Sequence, residues 1–189
     1  PYPKHLKTSG EEVEIARLSQ ASFRLCAETG NDPREEEALR LLEQRFLDLA
    51  AIDDCRDSEK GYVITLRTDP QSPVFAGIFK NEAYSIQVTR DGAVLCGADP
   101  AGTFYAAVTL GQLLWTEEGR VLLPEVDILD YPSFSRRGNY MECRYGTEFM
   151  TLSDWKAAVD YFAGMKLNQL TIGIYGCWSV QYDGRVSQY

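Results

Sequence analysis

The first clearly periodic stretch of the chain opens at Asn31-Asp32-Pro33, where Asp32 is a capping residue and Pro33 suits the first helical position. Ala38, Leu41, Leu42, Phe46 and Leu49 then recur on one stripe, with Glu35, Glu36, Glu43 and Asp48 elsewhere around the cylinder. That spacing predicts an amphipathic helix over residues 33–50. The acidic run Glu35-Glu36-Glu37 falls in its first turn and is read as a solvated run favoured by the helix dipole rather than as a cation site. The pattern changes period at Gly61-Tyr-Val-Ile-Thr-Leu-Arg67, and Glu82 to Val88 alternates cleanly, with Tyr84, Ile86 and Val88 offset from Ser85 and Gln87. Arg90-Asp91-Gly92 supplies a turn into Ala93 to Gly97, which makes a β-hairpin. Asp99-Pro100 repeats the cap-plus-proline start, and Tyr105, Val108, Thr109, Gln112 and Leu113 carry a second helix over residues 100–115. With a first strand at Glu12 to Ala16, the expected fold class is α+β: an antiparallel sheet with two helices on one face.

Gly119 to Pro132 reads as an edge strand and connector, because Pro124 and Pro132 cannot donate to a sheet ladder. The domain boundary is therefore expected near Pro132, giving a first domain over residues 1–132 and a second portion over 133–189. Beyond it, Arg137 to Cys143 is a strand candidate, and Thr151-Leu-Ser-Asp154 has the spacing of a reciprocal helix cap. Trp155, Ala158, Val159 and Phe162 mark a helix ending near Gly164, and Leu167 to Tyr175 alternates as a strand. Strand, helix, strand is one β/α/β unit with parallel strands. A lone unit of this kind leaves two open sheet edges and an uncovered helix face, so it is expected either to pack on the first domain or to be continued by more chain.

Charge narrows the classes of partner. The 28 acidic and 19 basic residues give a formal net charge of −9, which opposes nucleic acid and anionic lipid, so neither is an expected partner. No window approaches the run of about 18 apolar residues that spans a bilayer, and Pro1 to Gly10 lacks the apolar region of a signal peptide, which leaves cytoplasm and export after signal removal both open. Cys26, Cys55, Cys96, Cys143 and Cys177 contain no CxxC pair, and His5 is the sole histidine, so neither a metal site nor a cysteine nucleophile is expected, and no cofactor is implied.

Read in order, Pro1-Tyr-Pro-Lys4, Gly61 to Ile64, Glu82 to Ile86, Gly97-Ala-Asp-Pro-Ala-Gly-Thr-Phe-Tyr105, Thr109 to Leu114, Leu123-Pro124 and Asp130-Tyr-Pro-Ser-Phe134 resemble the N-terminal domain of glycoside hydrolase family 20, the β-N-acetylhexosaminidases. Arg136-Arg-Gly138 and the helix ending Ala163-Gly-Met-Lys-Leu-Asn168 resemble the first strand and first helix of that family's (β/α)₈ barrel. The resemblance implies a noncatalytic accessory domain followed by an incomplete β/α/β portion of a TIM barrel, in a protein that removes terminal N-acetylhexosamine. It further implies substrate-assisted retaining hydrolysis, with the acetamido oxygen as nucleophile, an orienting Asp and a general-acid Glu. That pair follows the fourth barrel strand, so no catalytic residue is expected here and the fragment is expected to be inactive alone. The implied partners are the N-acetylhexosaminide, through the complete barrel, and the remainder of the parent chain.

Two residues are candidate sugar contacts. The resemblance aligns Arg137 with an arginine that binds the sugar's outer hydroxyls, a task suited to fixed, always-charged donors at a strand end facing the barrel mouth; the structural alternative is an ion pair on the domain surface. Trp178, at a strand end, is the better stacking candidate among the tryptophans, whereas Trp155 at helical spacing suits a core. Glu142 stands where the family often has Asp, Arg144 falls one residue short of the spacing to a second Arg, and Gly176-Cys-Trp178 departs from the family's His-rich strand end. The adjacent acids Asp53-Asp54 and the pair Asp127 and Asp130 are read as solvated, since a retaining pair needs carboxyls converging across about 5 Å. The rival readings are a stand-alone carbohydrate-binding or protein-interaction module, and the front end of an α-N-acetylglucosaminidase or α-glucuronidase, whose barrels Asn139 to Arg144 also resembles.

Overall fold

The computed structural model describes residues 2–28, 30, 32–52, 61–78, 81–142, 146–173, 179–182 and 185–188. It divides into two compact units, Pro1–Ser133 and Phe134–Tyr189.

The first unit is built on one sheet. Its strands are β1 (His5–Arg17), β2 (Phe23–Glu28), β3 (Tyr62–Thr68), β4 (Tyr84–Val88), β5 (Gly92–Gly97), β6 (Trp115–Glu117) and β7 (Arg120–Asp130), with helices α1 (Pro33–Ala50) and α2 (Pro100–Leu113). The order across the sheet is β1-β7-β4-β5-β3-β2, with β6 pairing the end of β7. The sheet is mixed, which corrects the all-antiparallel expectation: β2, β3 and β5 run parallel, and the remaining pairs are antiparallel. There are two causes: β3 lies beside β5 rather than beside β4, and β2 is a short edge strand that sequence reading missed. It precedes α1, so the helix becomes a crossover that returns the chain parallel to where it left. Phe23 and Leu25 of β2 are buried while Arg24 is exposed, an alternation only six residues long.

Two other differences share a cause in pairing. β1 is longer than Glu12 to Ala16 because it follows β7 through two irregularities, one between Thr8 and Glu12 where Gly10 takes φ +80°, so His5 opposes Leu129 in an ordered strand. β7 is not an edge strand: β1 lies on one side, with β4 and β6 sharing the other. Pro124 is tolerated there because it falls between the last residue paired to β4, Val126, and the first paired to β6, Leu122. Trp115, placed by its spacing at the end of α2, instead begins β6.

Both helices start as their caps predict. Asp32 accepts from the Arg34 amide at 2.9 Å, and Asp99 accepts from the Gly102 amide at 2.7 Å. α1 buries Glu35, Ala38, Leu39, Leu42, Phe46 and Ala50, so Leu39 and Ala50 join the expected stripe, while Leu49 packs half-buried against the core and Leu41 is half-buried. α2 is nearly apolar all round, with Thr103 to Gly111 buried apart from half-buried Phe104, as suits a helix lying between α1 and the sheet. Phe46 meets Phe23 of β2 at a ring separation of 4.1 Å, a contact of the kind contributing about 1 kcal/mol beyond area burial. Arg45 of α1 donates to the Gly111 carbonyl of α2 at 2.9 Å, tying the helices together. Away from this core, Phe75, in a single 3-10 turn at Pro73–Phe75, packs with Ala83, Cys96 and Ala98 in a smaller cluster.

The second unit contains β8 (Gly138–Glu142), α3 (Leu152–Gly164) and β9 (Gln169–Gly173), with β8 and β9 parallel in the register Gly138 to Gln169. The capping box forms as its spacing predicts: Thr151 accepts from the Asp154 amide, and the Asp154 carboxylate accepts from the Thr151 amide at 2.7 Å. These bonds from Thr151 hold the Asp154 carboxyl below its ordinary range. A hairpin follows, β10 (Ser179–Tyr182) with β11 (Arg185–Gln188), antiparallel.

Two tests follow from these local structures. A Cβ on Gly102 would sit 2.1 Å from the Ala83 carbonyl oxygen, whereas one on Gly111, in the same helix, would meet side chains at 3.5 Å or more. Gly102→Ala is expected to lower unfolding stability by about 1–3 kcal/mol; Gly111→Ala is expected to be neutral or to gain up to about 1 kcal/mol from helix propensity. Urea denaturation of the two variants side by side checks the contrast. Separately, the Arg34 guanidinium bonded to Asp32, then the Arg34 amide, hold the Asp32 carboxyl at about 2, below its ordinary 3.8. A depressed carboxyl adds stability that is present above pH 3.8 and lost as pH falls through about 2. An NMR titration of Asp32 should show that low midpoint, and Arg34→Ala should move it upward.

Candidate functional site

The first unit holds its polar groups in structural work. Asp130, read from sequence as part of a connector, is the last residue of β7; its Oδ2 accepts from the Tyr84 hydroxyl at 2.8 Å and its Oδ1 from the Lys4 amide at 3.2 Å. The Tyr84 hydroxyl also lies 2.9 Å from Thr109 Oγ1 of α2. This chain of bonds links the N-terminal segment, two neighbouring strands and the buried helix, and burial raises the Tyr84 phenol far above its usual range. Asp127 is exposed three positions earlier on the same strand and does not converge with Asp130. A shallow, open depression on the sheet lies beside Lys7, Ser9, Gln87, Glu125 and Asp127, where Ser9 donates to Glu125 at 2.7 Å.

One acid departs from expectation. Glu35 is not solvated but only 2% exposed, because the first turn of α1 faces the end of β3. It accepts from Thr68 Oγ1, which lies 2.7 Å from Thr103 Oγ1 in the first turn of α2. Its neighbour Glu37 points outward to Arg40, whose guanidinium holds its carboxyl below the usual range. The start of α1, the start of α2 and the end of β3 are thus joined through side-chain oxygens. Among the described residues, no group of three or more His, Cys, Asp or Glu is disposed to hold a metal ion, and no helix is long and apolar enough to cross a membrane. Cys26 is half-buried and Cys96 buried, both as free thiols.

In the second unit, Arg137 stands immediately before β8, at the N-terminal end of that strand rather than at its outgoing end. Its Nε donates to the Lys166 carbonyl at 2.8 Å and its Nη1 to the Phe134 carbonyl at 2.9 Å. Glu142 closes β8 at the outgoing end, where its carbonyl accepts from Thr147 Oγ1 at 2.7 Å. Trp155 is half-buried on α3. Trp178, Arg144, Asp53-Asp54 and cysteines 55, 143 and 177 lie outside the described residues. Sequence reasoning passed over Asn168 as a functional side chain; it lies four residues beyond Gly164, the last residue of α3, and its amide and side chain both bond back to the segment entering β8.

Comparison with known proteins accounts for this arrangement. The family description "Glycosyl hydrolase family 20, domain 2" matches residues 1–131. A β-hexosaminidase of Vibrio furnissii is 27% identical over 169 residues, 89% of this chain and 24% of that protein. One of Porphyromonas gingivalis is 31% identical over 130 residues, 65% of this chain and 16% of its own length. Among solved structures, a family 20 exo-β-N-acetylglucosaminidase of Vibrio harveyi in complex with N-acetylglucosamine superposes with a TM-score of 0.71 at 20% identity, covering 91% of this chain and 24% of that one. The chain therefore spans about a quarter or less of the length of the curated relatives it matches. With a described mixed α+β unit over the matched residues and a family match across more than half the sequence, the chain belongs to glycoside hydrolase family 20.

Proposed function

We propose that this chain is the N-terminal part of a glycoside hydrolase that removes terminal N-acetylhexosamine residues, with residues 1–132 as a noncatalytic accessory domain and 133–189 as the opening of a (β/α)₈ catalytic barrel. The observation that carries the reading is the state of the second unit. α3 buries none of its residues, and Phe149, Leu152 and Tyr161 are 84%, 72% and 65% exposed. Parallel β8 and β9 form a sheet of two strands, too few for independent stability. A parallel pair bridged by an uncovered apolar helix is the repeating piece of a β/α barrel, in which neighbouring strands and helices cover both surfaces. The names of the curated relatives support the hexosaminidase activity, and the sugar bound in the Vibrio harveyi enzyme supports N-acetylglucosamine as a ligand of the completed site.

The catalytic carboxylates belong, on this reading, to later barrel strands. The accessory domain contributes packing and no chemistry, in keeping with its structurally committed acids. Trp178 remains the stacking candidate of the proposal, because an indole is suited to the apolar face of a sugar. A stand-alone carbohydrate-binding module is less well supported, because it calls for exposed aromatic rings on the sheet. Among the described residues of the first unit, the exposed aromatic ring is Tyr2, which precedes β1.

Hydrolysis of a chromogenic β-N-acetylglucosaminide by the 189-residue chain, beside the same chain extended through its parent reading frame, tests the proposal. Turnover is expected in the extended protein alone. Turnover by the 189 residues would overturn the noncatalytic assignment, and silence from both would remove the hexosaminidase activity while leaving the fold untouched.

A further inference from the structure

We infer that Arg137 is a positioning residue that, together with Asn168, clasps the entry of β8 to the entry of β9, and that it is not a ligand of the sugar. The turn from α3 into β9 has a local difficulty. Lys166 takes φ +60°, in the left-handed region that side chains disfavour, while the carbonyls of Tyr161, Phe162 and Ala163 at the helix end are already met by the amides of Met165, Lys166 and Leu167. Arg137 braces the turn that follows. Its guanidinium bonds the carbonyl of that same Lys166 and places a fixed cation beside the negative end of α3, where it is favoured.

Asn168 returns the clasp. Its side-chain oxygen accepts from the Arg137 amide at 2.9 Å, and its side-chain nitrogen donates to the Ser135 carbonyl at 2.9 Å. The amides of Asn168 and Gln169 both reach the Arg137 carbonyl, at 2.8 and 3.1 Å. The next pair in the register is Gly138 with Gln169, where a Cβ on Gly138 would lie 2.8 Å from the Gln169 carbonyl oxygen. The two backbones are therefore drawn together at their incoming ends, and the parallel register starts from that point. The Nη1 bond to Phe134 completes the arrangement by fixing the segment that leads into β8.

A sugar site in a β/α barrel is built at the C-terminal ends of the strands. On the barrel reading proposed above, on which this comparison rests, Arg137 occupies the opposite end of its strand, with its guanidinium engaged by main-chain carbonyls. Any effect of Arg137 on catalysis then passes through the seating of β8, whose outgoing end carries Glu142.

The test uses the extended protein and its Arg137→Ala, Asn168→Ala and doubly substituted forms. Hydrogen–deuterium exchange of the Asn168 and Gln169 amides is expected to quicken by about tenfold or more in each single variant, since each loses bonds of the clasp. The double variant should exceed the larger single effect only slightly, because both act on one network. The ratio of kcat/KM for the N-acetylglucosaminide over its 4-deoxy counterpart should be the same in Arg137→Ala as in the unaltered enzyme, even where kcat falls. Unchanged exchange in Arg137→Ala would overturn the clasp. A ratio collapsing toward one would show that the guanidinium reads the sugar hydroxyl and would overturn the inference whatever the exchange did. Should the extended protein hydrolyse neither sugar, the hexosaminidase reading fails on its own, and the exchange measurement alone decides the clasp.

Discussion

The first unit depends on how closely the start of α2 approaches the turn before β4. Asp99 uses both carboxylate oxygens: Oδ1 accepts from Gly102 at the first turn of the helix, and Oδ2 from the Glu82 amide at 2.8 Å. Glu82 itself takes φ +59°, and the Ala98 amide donates to the Ala83 carbonyl at 2.9 Å. One short side chain thus caps a helix, holds a residue in the left-handed region and joins the end of β5 to the start of β4. The two glycines follow from this geometry, since a Cβ on Gly97 would lie 2.2 Å from the Thr103 amide and one on Gly102 would strike the Ala83 carbonyl. The sequence Gly-Ala-Asp-Pro-Ala-Gly-Thr is therefore a packing device. It lets an apolar helix sit against a hairpin with no side chain between their backbones.

Once α2 is seated, its polar residues have assigned partners. Thr103 bonds Thr68 and the Arg67 carbonyl at the end of β3, and Thr109 reaches Tyr84 and through it Asp130. α1 then packs on the other side of α2, bringing buried Glu35 into the same oxygen cluster. The hydroxyls and one oxygen of Glu35 are bonded, whereas Glu35 Oε2 is buried without a hydrogen-bond partner, a situation that costs about 1–3 kcal/mol. This commitment of acids and hydroxyls to the frame is what a supporting domain needs.

The second unit has the opposite character. Its local signals are strong, with a reciprocal cap at Thr151 and Asp154 and the Arg137 and Asn168 clasp at the strand entries. Its burial is weak, since α3 buries no residue. Local bonds thus define a β/α/β piece that has little burial of its own.

The sequence by itself determined the elements whose information is local. Asp-Pro starts at residues 32 and 99, the alternation of Tyr84, Ile86 and Val88, and the Thr151 cap each set a helix or strand through neighbours within a few residues, and each stands in the structure. The ordered run of family motifs from Pro1 to Phe134 carried the relationship to family 20, and residues 1–131 match it. Pairing partners far apart in the chain were decided only by the tertiary structure. The direction of β2, the central place of β7 despite Pro124, and the burial of Glu35 depend on which strand or helix lies alongside, and side-chain period says nothing about that. Arg137 shows the same limit at a candidate site. Its sequence neighbours mark the start of a strand, but the end of the strand that the guanidinium serves is set by carbonyls at Phe134 and Lys166, the latter 29 residues away along the chain.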